Sequence, residues 1–86
     1  MAIASGQTTI STTAVAVDTS SPNPYTLILH NESGTNTITL GNSAVTSANG
    51  FGLHANTTLS IPMAAGDQLY AIATSGSHDL SWIKIY

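Results

Sequence analysis

Hydrophobic and polar positions alternate along much of this chain. Tyr25, Leu27 and Leu29 share one face of an extended segment, and Thr26, Ile28 and His30 share the other. Ile38 and Leu40 face away from Thr37 and Thr39, and Leu59 and Ile61 alternate with Ser60. One-sided alternation of this kind belongs to an antiparallel sheet with one dry face. No window carries the 3.6-residue period of an amphipathic helix. The pattern predicts strands near residues 8–10, 14–17, 25–31, 35–40, 57–61, 68–74 and 79–86, with short additions near 44–46 and 52–54.

The interruptions have specific chemistry. Ser21-Pro-Asn-Pro24 cannot continue a ladder, because two of its residues lack an N–H. Asn31-Glu-Ser-Gly34 reads as a hairpin turn with Gly34 free to take positive φ, and residues 64–67 and 75–77 read as turns of the same kind. Seven to eight short strands with frequent turns predict an all-β chain: a single small antiparallel β-sandwich, jelly roll or small barrel over residues 8–86. Residues 1–7 are small and uncharged and are expected to form a flexible N-terminal arm.

Two strands are apolar on both faces. Leu69, Ala71 and Ala73 oppose Tyr70 and Ile72, which predicts a central strand or one covered by a neighbour. In the last strand Ile83 and Ile85 oppose Leu80, Trp82 and Tyr86, with Lys84 on the latter side. If the isoleucines enter the core, Leu80, Trp82 and Tyr86 form an apolar patch outside it, suited to self-association. The other reading is that Trp82 closes one end of the core. Met1, Ile3 and Ile10 are expected to supply an arm that lies against a neighbour.

Charge changes the picture most. Lys84 is the only base, and Asp18, Glu32, Asp67 and Asp79 are the only acids, where an ordinary domain of 86 residues carries roughly twenty charged groups. Ser and Thr, 24 residues together, and six Asn take their place. Covering such side chains with protein costs far less than covering ions. This points to a subunit whose faces meet copies of itself or a larger assembly. A net charge of −3 with one base argues against nucleic acid and against an anionic membrane. Cysteine is absent, so there is no disulfide staple or thiolate site, and oligomerisation is the expected source of added stability. The start has no positive n-region, which predicts synthesis in a cytoplasm until assembly.

Candidate chemistry is sparse. His30, His54 and His78 are the only residues that suggest a metal site or general base, and their equal spacing of 24 has no geometric meaning in a β-sandwich. His78 and Asp79 are adjacent and point to opposite faces of a strand, so they do not form a base and its orienter. The four acids fall at turns or strand ends, where their solvation explains them. Neither a catalytic set, a cofactor site nor a metal site is expected, and the chain does not read as an enzyme.

The segments Tyr25-Thr-Leu-Ile-Leu-His-Asn31, Ile38-Thr-Leu-Gly41, Val45-Thr46, Asn49-Gly-Phe-Gly-Leu53, Leu59-Ser-Ile61, Ala65-Gly-Asp67 and Leu69-Tyr-Ala-Ile-Ala73 follow one another in order. This order resembles a group of small bacteriophage virion proteins of the capsid decoration, cement or head-fibre type. The resemblance implies a β-sandwich or jelly roll that decorates the outer capsid surface, commonly as a homotrimer, with the major capsid protein as its partner. Such proteins often carry an Arg where this chain has Tyr25, so a contact made by that Arg is not carried over. The expectation is a virion structural protein that stabilises a shell. The alternative is a fibre or tail module binding host glycan or receptor through Tyr25, Phe51 and Tyr70.

Overall fold

The alternation at residues 25–31 is realised in full: Tyr25, Leu27, Leu29 and Asn31 are buried, and Thr26, Ile28 and His30 are not. The computed structural model describes residues 2–18 and 22–86. Among these, eight strands run in the order β1 Ile3–Ile10, β2 Val15–Ala16, β3 Tyr25–Asn31, β4 Ile38–Gly41, β5 Phe51–Leu53, β6 Thr58–Met63, β7 Tyr70–Ala73 and β8 His78–Ile85. They form two four-stranded antiparallel sheets, ordered β1-β8-β3-β6 and β2-β7-β4-β5. First strand pairs with eighth, second with seventh, third with sixth and fourth with fifth. The chain is therefore one long hairpin wrapped into two layers, which is a jelly roll.

Ile10, Val17, Leu27, Leu29, Ile38, Leu40, Leu53, Ala71, Ala73 and Leu80 fill the space between the layers. β7 lies between β2 and β4, the central position its two-sided apolar pattern predicts, with Ala71 and Ala73 turned inward. The accessible surface is 4481 Å². A folded monomer of this mass exposes on the order of 4,800 Å², so the chain is about as compact as its size allows.

Three expectations are corrected. Residues 3–7 are the first half of β1, paired with β8 from Ile3↔Ile85 onward, rather than a flexible arm. The segment is too poor in large residues to read as a strand alone, and it gains its ladder from residues at the far end of the sequence. The segments at 31–34, 64–67 and 75–77 are not hairpin turns, since each carries the chain from one sheet to the other. Finally, positive φ occurs at Asn56, Gly66 and Gly76, and Gly34 does not need it. At Gly66 and Gly76 a side chain would be strained in this backbone.

Asn31 explains the crossover from β3 to β4. Its side chain is wholly buried, and Nδ2 donates to the carbonyls of Asn36 (2.8 Å) and Leu53 (2.9 Å). Its Oδ1 accepts the Ser33 N–H at 2.9 Å. One amide thus ties the end of a strand in one sheet to two segments of the other, and every buried polar atom on it is satisfied.

Candidate functional site

The direction of β8 decides which surface is available for binding. Leu80 is fully buried, Lys84 is 7% exposed, and Trp82 packs against the core, so these residues face inward. Ile83 and Ile85 face outward. The expected patch of Leu80, Trp82 and Tyr86 is corrected accordingly: Leu80 is core, Trp82 is part of its edge, and Tyr86 is exposed beyond the end of β8. Ile10, expected on an arm, is also fully buried. Ile3 is 63% exposed, and Met1 lies outside the described residues.

The inward turn of β8 depends on what Lys84 meets. Its Nζ lies 2.8 Å from Asp18 Oδ2, and 5.7 and 5.4 Å from the ring centres of Tyr25 and Tyr86. A buried cation is tolerable only when paired, and ring faces add further attraction. Tyr25 closes this pocket by donating its hydroxyl to the Asp67 carbonyl at 2.6 Å. Burial pushes the Tyr25 phenol above its ordinary value; Lys84 acts against that shift, and Asp18 and Asp67 add to it.

Trp82 is held in the same way. Its Nε1 donates to Thr8 Oγ1 at 3.1 Å, and Thr8 donates onward to the Val17 carbonyl at 2.6 Å. Gly6 leaves the space for the indole, since a Cβ there would stand 2.8 Å from Trp82 Cζ2.

The outer face of the β1-β8-β3-β6 sheet follows from the register. One row across the strands reads Ile3, Ile85, Thr26, Pro62, and the next reads Ser5, Ile83, Ile28, Ser60. A third row reads Gln7, Ser81, His30, Thr58, and Asp79 begins a fourth beside Thr9. The first two rows bring four isoleucines and a proline together from four strands. The others are laced by hydrogen bonds: Gln7 Nε2 to Ser81 Oγ (3.2 Å), Ser81 Oγ to Glu32 Oε2 (2.7 Å) and Thr9 Oγ1 to Asp79 Oδ1 (3.1 Å). This face therefore has an apolar end and a polar, acidic end. Sequence reasoning placed Ile83 and Ile85 together but could not place Ile3 and Ile28 beside them, because strand order is not visible in periodicity.

A second feature lies at the end of the opposite sheet. Leu40, Gly41, Asn42, Val45, Asn49, Gly50 and Phe51 line a cleft of about 290 Å³, and Phe51 stands 60% exposed at it. Of the other aromatics expected to stack on a glycan, Tyr25 is buried and Tyr70 is half-buried. The histidines have separate surroundings: His30 Nδ1 lies 2.9 Å from Thr58 Oγ1, His54 Nδ1 3.4 Å from Thr37 Oγ1, and His78 Nε2 2.8 Å from the Ser75 carbonyl. Among the described residues no group of three or more His, Asp and Glu is placed to hold a metal ion.

No family model and no curated protein matches the chain. Among solved structures it is similar to a chain from the Bacillus endospore appendages, described as a novel family of disulfide-linked pili. The TM-score is 0.66 at 16% identity, over 98% of this chain and 84% of that one. At this identity the likeness establishes a shared β-rich fold.

Proposed function

We propose that this protein is a structural subunit of a bacteriophage virion, a capsid decoration protein that binds the outer shell and stabilises it. The observation that carries the reading is the outer face of the β1-β8-β3-β6 sheet. There Ile3, Ile28, Ile83 and Ile85 form one apolar area, and the acids of this face, Glu32 and Asp79, lie at its other end. Large contiguous apolar areas mark sites of protein contact. Against the major capsid protein this face would be covered at little desolvation cost, since Ser, Thr and Pro surround the isoleucines. The stabilisation is mechanical: bridging neighbouring shell subunits adds contact free energy, and self-association multiplies weak attachments into a strong one. No catalytic role is assigned. The likeness to a pilus subunit supports a building-block role for the fold, and these 86 residues, having no cysteine, would assemble without disulfides.

The test is co-sedimentation of the purified protein with shells that lack it, beside the Ile83→Glu and Ile85→Glu variants. Both positions face outward, so the fold should be retained. The reading expects the wild-type chain to saturate the shells and the variants to lose at least tenfold in affinity. Equal binding by all three, or none by wild type, would overturn it.

The Phe51 cleft favours a second reading, a fibre or tail module that stacks a host sugar on Phe51 beside the amides of Asn42 and Asn49. Retention on host polysaccharide that is lost in Phe51→Ala would select it.

A further inference from the structure

The free edges of the two sheets are unequal. β2 and β5, at the edges of one sheet, are two and three residues long. In the other sheet β6 forms one edge and contains Pro62. The Asn31 N–H donates to the Thr57 carbonyl, so the odd-numbered residues of β6 bond to β3 and the even ones face outward. Pro62 therefore removes an N–H from that open edge. β1, the remaining edge, has eight residues, no proline and no charged side chain.

Which groups of β1 are open follows from its register. Ala2 and Tyr86 exchange both backbone hydrogen bonds, and the register continues through Ala4↔Lys84, Gly6↔Trp82, Thr8↔Leu80 and Ile10↔His78. The even residues thus direct their N–H and C=O to β8. Ile3, Ser5, Gln7 and Thr9 direct theirs away from it, and no described residue pairs with them there. A long uncharged edge with open backbone groups is a template for another strand, and native proteins ordinarily blunt it with Lys, Pro or a bulge.

We propose that β1 pairs with β1 of a second copy, antiparallel about a two-fold axis through Gly6, joining two sheets into one of eight strands. Only in this register do all four open residues find partners: Ile3 opposite Thr9 of the second copy, Ser5 opposite Gln7, and the reverse. Each such pair exchanges two hydrogen bonds, giving eight across the seam. A two-fold interface sets a patch against itself, and a charged strand would meet its own charge; β1 has none. At the axis Gly6 faces Gly6, a close pair in which neither residue carries a side chain. Trp82 of each copy flanks this pair on the inner face, and the isoleucine areas of both copies emerge on one outer face. The inference deepens the self-association part of the reading above and is independent of what the joined face covers. It replaces the expected trimer with a dimer.

The test is light scattering of the purified protein across a dilution series with no shell present. The expected mass is twice the 8.8 kDa of the chain. Ser5→Pro removes one open N–H and leaves the β8 ladder intact, and it should move dissociation to at least tenfold higher concentration. Ser5→Lys with Gln7→Lys sets like charges opposite each other and should give monomer throughout. Ser5→Glu with Gln7→Lys sets opposite charges together and should restore the dimer. Trp82 fluorescence reports whether each variant is folded. If Ser5→Pro fails to fold, the two charge variants decide. A wild-type monomer, a trimer, or charge variants that behave alike would overturn the proposal. Shell binding by a wild-type monomer would leave the decoration reading standing while this one fell.

Discussion

Lys84 Nζ lies 2.8 Å from Asp18 Oδ2 inside the molecule, so the only base of the chain is spent on its interior. The pair joins the last strand to the segment after β2, and it fixes which face of β8 points inward. Removing one partner of a buried pair leaves the other charge uncompensated, at a cost of about 3–5 kcal/mol. Lys84→Met should destabilise by roughly the lower end of that range, because Asp18 retains some solvent access, and Asp18→Asn should cost less, because Lys84 keeps its contacts with the Tyr25 and Tyr86 rings. Replacing both with apolar residues should cost clearly less than the two single losses combined. Urea midpoints of the four proteins test this.

Gly6→Val should drive a side chain into the indole of Trp82, since even a Cβ would stand at 2.8 Å. Overpacking of this kind costs about 1–3 kcal/mol. Thr8→Val, which removes the acceptor of Trp82 Nε1, should cost about 1 kcal/mol. Trp82 is the only tryptophan, so its fluorescence during unfolding reads both variants directly.

Asn31→Leu should be among the most damaging single substitutions. It leaves the Asn36 and Leu53 carbonyls and the Ser33 N–H without their partner, and each unmet buried group costs about 1–3 kcal/mol. The expected loss is about 3 kcal/mol or more, measured by thermal or urea unfolding.

Tyr25 gives the protein an alkaline weakness. Its phenol is raised in the folded state, so above the unfolded value near 10 the unfolded chain releases the proton first, and stability falls as pH rises. Below that pH the group contributes no slope. Tyr25→Phe should be less stable than wild type at pH 8, through loss of the bond to Asp67, and the gap should narrow above pH 10. An unchanged gap between pH 8 and pH 11 would contradict this.

The local pattern was legible where one face of a strand is apolar and the other is not. β3 begins and ends where its alternation predicts, and its inward face is the predicted one. β7 is central, one of the two placements its two apolar faces predict. β8 is a different case. Alternation groups Leu80, Trp82 and Lys84 on one face but leaves open which face is inward, and Ile83 and Ile85, more apolar than a lysine, favour the face that in fact points outward. The placement of Asp18, Tyr25 and Tyr86 around it helps make burial of that lysine tolerable, and two of these lie some sixty residues away in sequence.

The sequence by itself determined the all-β class, the approximate strand set and the low charge of the surface, since these follow from side-chain type and a period of two. Tertiary structure alone decided the jelly-roll order, the crossovers mistaken for hairpins, and the pairing that turns residues 3–7 into a strand. It also decided the isoleucine area, which needs Ile3, Ile28, Ile83 and Ile85 from three strands in register. The physical reason is common to all of these. A strand's faces are set by its neighbours in sequence, whereas its partners are set by long-range hydrogen bonding and burial that no local window contains.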